Sequence, residues 1–211
     1  MLNFNAHFPT RIHFGRGKIE DLGEEILSYG NKVLLVYGGG SIKRSGLYDQ
    51  LLQVFQGNDI NHIELSGVQP NPRISSVRQG VELCKQHQVH LVLAVGGGST
   101  IDCAKIIAAG ANYDGDAWDF FTRKAKIQHA LPVGTVLTLA ATGSEMSPNA
   151  VINNDDTKQK LGIGSSILIP RFSILDPEYS FTVPPEQTAA GTVDIMSHVF
   201  EQYFSPTPGT F

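Results

Sequence analysis

Leu91-Val92-Leu93-Ala94-Val95-Gly96-Gly97-Gly98-Ser99-Thr100-Ile101-Asp102-Cys103-Ala104-Lys105 is the stretch whose reading decides the fold. An unbroken aliphatic run stops at three glycines and passes at once into a helix-forming segment. That order predicts a buried strand, a tight turn and a helix N-terminus. Glycines lack Cβ atoms, so backbone N–H groups can approach an anion closely; a helix start adds orphan donors and the positive end of its dipole. Ser99 or Thr100 can cap the helix or offer a hydroxyl to a phosphate. The functional reading is a diphosphate cradle at Gly96, Gly97, Gly98 and Ser99. A plain strand-to-helix turn explains the same residues.

Toward the N-terminus the pattern repeats. Lys32-Val33-Leu34-Leu35-Val36-Tyr37 reads as a second buried strand and runs into Gly38-Gly39-Gly40-Ser41. Apolar residues at helical spacing predict helices over 18–29, 47–55, 74–88 and 99–110, and shorter apolar runs predict strands over 60–65, 130–136 and 172–175. Residues 2–14 alternate loosely and read as two short strands. Strands alternating with helices imply an α/β fold with a parallel sheet covered on both faces. Such sheets bind ligands at the carboxyl ends of their strands, where both glycine turns lie. That placement strengthens the diphosphate reading.

Beyond residue 110 the texture changes. Residues 114–121 form a loop or short helix with aromatics. Residues 137–147 are rich in small and hydroxyl side chains, which suits close approach to a ligand and equally suits an ordinary loop. Asn154-Asp155-Asp156-Thr157 between two apolar runs signals a hairpin. Pro184-Pro185-Glu186 opens a long helix reaching about Phe204. Asp194 and His198 stand four residues apart on it, so a carboxylate and an imidazole share one face and can grip a metal ion. A helical ion pair, or a histidine satisfied by its neighbours, fits that spacing too.

Composition narrows the partners. A net charge of −4 argues against nucleic acid or an anionic membrane as the main partner. No apolar run is long enough to span a bilayer, and the first residues lack the basic and apolar regions of a signal peptide. Cys84 and Cys103 fit no zinc spacing and read as reduced core thiols, which points to a cytoplasmic protein.

Five segments together resemble the iron-containing (group III) alcohol dehydrogenases, on the butanol dehydrogenase-like branch. They are Tyr37-Gly38-Gly39-Gly40-Ser41, Gly96-Gly97-Gly98-Ser99-Thr100-Ile101-Asp102, Ala141-Thr142-Gly143-Ser144-Glu145, Asp176-Pro177 and Thr192-Val193-Asp194-Ile195-Met196-Ser197-His198. The resemblance implies a Rossmann-like dinucleotide-binding domain over 1–181, then the first helix of an all-helical metal-binding domain over 182–211. It implies that Gly38, Gly39, Gly40, Ser41, Gly96, Gly97, Gly98, Ser99 and Asp102 belong to the cofactor site. Thr138, Ser144 and Lys160 then line its nicotinamide and ribose end. Asp194 and His198 match two ligands of an Fe2+ or Zn2+ ion, and the two further histidines of the family have no counterpart here. The chain looks like the N-terminal half of such an enzyme, expected to be inactive or weakly active alone and to form a homo-oligomer, a dimer.

The implied reaction is hydride transfer between a nicotinamide and a metal-bound primary alcohol or aldehyde. Cofactor choice can be argued from residues. NAD enzymes usually set an Asp or Glu beyond the second strand to hold the ribose 2′-OH. The Gly38–Ser41 turn has no acid and is followed by Lys43, so NADP(H) is expected over NAD(H). Two other readings stay open: a cofactor-binding module without catalysis, and a lyase of the same architecture, as in dehydroquinate synthases.

Overall fold

The computed structural model describes residues 7–205. Six parallel strands form its central sheet: β1 (Arg11–Phe14), β2 (Lys32–Tyr37), β3 (Asn61–Leu65), β4 (Leu91–Gly96), β5 (Val133–Leu137) and β8 (Phe172–Leu175). Between β5 and β8 the chain makes an antiparallel hairpin of β6 (Asn149–Asn154) and β7 (Gln159–Gly164). Helices α1 (Leu22–Leu27), α2 (Ser41–Arg44), α3 (Leu47–Gly57), α4 (Ile74–His87), α5 (Gly98–Ala111), α6 (Trp118–Phe121) and α7 (Pro185–Tyr203) fill the connections and the C-terminal region.

Side chains alternate across the central strands, and both faces are buried. Val33, Leu35, Leu91, Leu93 and Val95 pack with Leu47, Leu51 and Phe55 of α3 on one face. Leu34, Val36, Val92 and Ala94 pack with Val77 of α4 and Ile101, Ile106 and Ile107 of α5 on the other. Two buried faces are why the sequence shows continuous apolar runs rather than alternation. Helices α4 and α5 lie close: a Cβ at Gly80 would stand 2.4 Å from an Ile107 methyl.

The strand order is β1-β8-β5-β4-β2-β3. From β2 the chain crosses outward to β3, while from β4 it crosses the opposite way to β5. The two strands β2 and β4 are neighbours, in register from Val33–Leu91 to Tyr37–Val95. Their carboxyl ends therefore flank the point where the winding reverses, which opens a crevice in sheets of this kind.

The expected elements are found with small shifts. Residues 18–29 divide into a 3-10 turn (Lys18–Asp21) and α1 rather than one helix. Of the two short strands expected over 2–14, one, β1, lies among the described residues. Residues 7–10 are not strand, residues 2–6 lie outside the described residues, and β1 begins at Arg11, paired with Phe172. Among the described residues no helix is long and apolar enough to cross a membrane.

Candidate dinucleotide site

A cavity of about 490 Å3 occupies the crevice. Its floor is the two glycine turns (Gly38, Gly39 and Ser41 after β2; Gly96, Gly97, Gly98 and Ser99 at the end of β4). Thr138 and Leu139 form one wall, and Thr182, Val183 and Pro184, which lead into α7, with Gln187 of its first turn, form another. Neither aspartate nor glutamate lines it among the described residues.

Gly97 is the N-cap of α5, its backbone is extended, and no side chain caps the helix. The first-turn amides of a 14-residue helix therefore face the cavity with their dipole behind them, an arrangement suited to a diphosphate. The glycines are needed for space. A Cβ at Gly96 would stand 2.6 Å from Thr100 Oγ1, and one at Gly98 3.0 Å from Thr142 Oγ1. Ser99 does not cap the helix; its Oγ accepts from the Asn71 amide at 3.3 Å.

The other expected cofactor residues fall into two groups. Gly40 completes the first turn with φ +96, a left-handed conformation, and N-caps α2 outside the cavity lining. Asp102 and Ser144 sit behind the wall. Ser144 Oγ donates to Asp102 Oδ1 at 2.6 Å, and the Val151 amide donates to Asp102 Oδ2 at 2.9 Å. Burial pushes the Asp102 carboxyl up, opposed by those two donors and by Lys105. Lys160 reaches Asn71 Oδ1 at 2.8 Å rather than the cavity, so Asn71 links the hairpin to Ser99. Asn71 was visible in the sequence only as the centre of Pro70-Asn71-Pro72; its backbone is left-handed there, with φ +56.

Lys43 is turned away from the cavity. Its ammonium lies 4.3 Å from the Tyr48 ring centroid and 4.0 Å from the Glu64 carboxylate, which also accepts from the hydroxyls of Tyr37 and Tyr48. Burial pushes the Glu64 carboxyl up, but those two hydroxyls with Lys43 and His62 outweigh it and hold it low. The cation that lines the cavity is Arg44, and it forms no ion pair among the described residues.

On α7, His198 Nε2 stands 3.8 Å from Asp194 Oδ1, both side chains about half exposed. No group of three or more His, Cys, Asp or Glu side chains gathers among the described residues. A carboxylate with an imidazole suits iron or zinc, but a catalytic ion usually has at least three protein ligands. The described residues thus bring together two candidate donors and not a closed metal site. Both cysteines are buried and unpaired, and burial pushes each thiol up to about 12.

The model of the iron-containing alcohol dehydrogenase family matches residues 9–177. The chain belongs to this family. It is 56% identical over 211 residues to NADH-dependent butanol dehydrogenase A of Clostridium acetobutylicum, with 100% of this chain and 54% of that protein aligned. It is 45% identical over 206 residues to the NADPH-dependent aldehyde reductase YqhD of Escherichia coli, covering 96% of this chain and 52% of that one. Among solved structures, NADH-dependent butanol dehydrogenase A of Thermotoga maritima superposes with a TM-score of 0.93 at 53% identity, over 96% of this chain and 51% of that chain. The chain spans about half the length of the curated relatives it matches.

Proposed function

We propose that the chain is the cofactor-binding half of a metal-assisted alcohol dehydrogenase or aldehyde reductase acting on small primary alcohols and aldehydes. The observation that carries this reading is the uncapped start of α5 facing an acid-free cavity at the sheet's reversal point. The Gly96–Ser99 turn takes the diphosphate, Gly38–Ser41 the adenosine end, and Thr138 and Leu139 the nicotinamide end. From residue 182 onward the helical region begins, whose Asp194 and His198 would hold the metal. The cofactor would supply the redox chemistry and the metal Lewis-acid polarisation of the substrate oxygen. The chain's own work is positioning: it holds the diphosphate, orients the nicotinamide toward α7, and excludes water between them. Since the family match and the named relatives are oxidoreductases, the lyase reading drops.

We further propose a preference for NADP(H). Support comes from Arg44 at the cavity and the lack of any carboxylate to repel a 2′-phosphate. Relatives named for NADH and for NADPH both occur, so membership alone leaves the choice to such residues. Fluorescence titration of the 211-residue chain should give NADPH a dissociation constant about tenfold below that of NADH, a difference of about 1.4 kcal/mol. Arg44→Ala should erase the difference by weakening NADPH alone. Equal affinities in the wild-type chain would refute the preference. With only two metal donors, the isolated chain should reduce butanal with NADPH weakly even with added Fe2+ or Zn2+, and brisk metal-dependent turnover would overturn that. A homodimer, checked by light scattering, and a cytoplasmic location that suits the unpaired thiols complete the proposal.

A further inference from the structure

The cavity has no charged residue of α5 in its lining, yet the same helix carries a fully buried ammonium just behind the wall. Lys105 has no solvent exposure, and nothing in the proposed reaction uses it. Its Nζ donates to Ser147 O at 2.8 Å, Asn149 O at 2.9 Å and Ser144 Oγ at 3.0 Å. These acceptors belong to one strip of chain, the irregular segment after β5 and the first residues of β6. One helical turn earlier, Asp102 takes the Ser144 hydroxyl and the Val151 amide of the same strip. The two side chains, three residues apart on one helix face, thus grip it with opposite charges.

The strip's other end touches the glycine turn after β4 and the helix α7. Leu139 Cβ lies 3.4 Å from where a Cβ on Gly97 would stand, and Thr142 Oγ1 3.0 Å from one on Gly98. The Ala140 carbonyl lies 3.0 Å from the corresponding position at Gly191, the buried residue of α7. The segment is therefore wedged between the diphosphate turn and the helix bearing Asp194 and His198. The segment forms no strand ladder, and Gly143 within it takes a left-handed φ of +71. Two further tethers hold it: the Thr138 amide donates to Gly96 O at 3.1 Å, and Ser173 Oγ donates to Glu145 O at 2.8 Å.

We propose that Lys105, braced by Asp102, is a positioning residue for the cofactor: its buried ammonium holds the 138–147 segment against the glycine turn and so sets the gap between the nicotinamide end of the cavity and α7. This rests on the dinucleotide reading above. Burying an ammonium among neutral acceptors is costly unless something is gained by it, and an apolar side chain would fill the space at lower cost. With the Ser147 hydroxyl at 3.4 Å as a fourth acceptor, the acceptors around this nitrogen use all three protons of the charged form.

Titration offers a signature that a merely structural lysine lacks. Burial pulls the Lys105 ammonium down to about 8, against the attraction of Asp102 on its own helix and Glu145 on the segment. Its folded value lies below the unfolded one, so in the window from about 8 to the ordinary lysine range the unfolded chain binds more protons. This group therefore raises stability as pH increases there. Cofactor affinity should move the opposite way, because the neutral amine has one proton too few for its acceptors.

The test uses the 211-residue chain with NADPH as probe, alongside hydrogen exchange of the cofactor-free chain. Lys105→Met should weaken NADPH binding about tenfold and speed exchange of the 138–147 amides, and Lys105→Arg should recover part of both. Wild-type affinity should fall between pH 7.5 and 9.5 while the melting midpoint does not. The arginine variant should show no such fall. Wild-type-like binding by Lys105→Met, or an affinity that follows the melting midpoint at every pH, would overturn the positioning role and leave the dinucleotide reading standing. A wild-type chain that binds neither NADPH nor NADH would overturn both.

Discussion

The same four residues, Gly-Gly-Gly-Ser, come after two neighbouring parallel strands, and the chain does different things with them. After β4 the first glycine ends the strand, Gly97 caps in an extended conformation, and a 14-residue helix begins at Gly98. After β2 all three glycines lie beyond the strand, Gly40 caps with φ +96, and the helix lasts four residues before Gly46, with φ +80, redirects the chain into α3. The residues downstream of each serine make the difference. Thr100-Ile101-Asp102-Cys103-Ala104 continues as a buried helix, with Thr100 and Ile101 buried at once, whereas Ile42-Lys43-Arg44-Ser45-Gly46 is polar on all sides but one. One turn becomes a long dipole aimed at the crevice; the other becomes a short corner presenting an arginine.

The comparison can be broken most severely at its better-formed half. Gly97→Asp puts a carboxylate where a diphosphate would sit, yet the extended backbone accepts an aspartate and N-caps favour it. Leu139 must give by a few tenths of an ångström. NADPH binding should weaken by at least about a hundredfold, which like-charge repulsion in a partly buried site can supply, while the melting midpoint shifts by less than about 3 °C. A large loss of stability with little change in affinity would mean that the turn is structural and not a cradle. Gly46→Ala tests the other half. Forcing a Cβ into the left-handed region costs about 1 kcal/mol, lowering the midpoint by roughly 2–4 °C in a chain this size. Affinity should change only as far as Arg44 moves, and calorimetry with parallel titration separates the two. The smallest effect belongs to His198→Ala. The side chain is half exposed and bound only by weak helical pairs, so stability should change by no more than about 0.5 kcal/mol, while zinc affinity measured by competition falls.

Two charged pairs make the same point at a different level. Asp102 and Lys105 stand at i and i+3, Asp194 and His198 at i and i+4, and sequence spacing treats them alike. In the first pair Lys105 is fully buried and Asp102 partly so, and together they spend their polar atoms on one neighbouring strip of chain. The second lies on a helix of which only Gly191 is buried. The resemblance assigned Asp102 to the cofactor and passed over Lys105, because a motif records residue types and not which side of a wall they occupy. Arg44 was missed for a related reason. Lys43 and Arg44 are adjacent, and only the packing of Lys43 on Tyr48 and Glu64 leaves the arginine at the cavity.

The sequence by itself determined the parallel α/β fold, its two glycine turns, the hairpin, the long C-terminal helix and the family. Each of these comes from local patterns: aliphatic runs buried on both faces, glycines where backbones must approach, helical spacing between caps. The tertiary structure alone decided which strands are neighbours, and hence that β2 and β4 bring distant turns to one crevice. It also decided which of two adjacent cations faces that crevice, and that a lysine two turns into α5 grips the segment closing it. Those outcomes depend on contacts between residues far apart in the chain, and no local period encodes them.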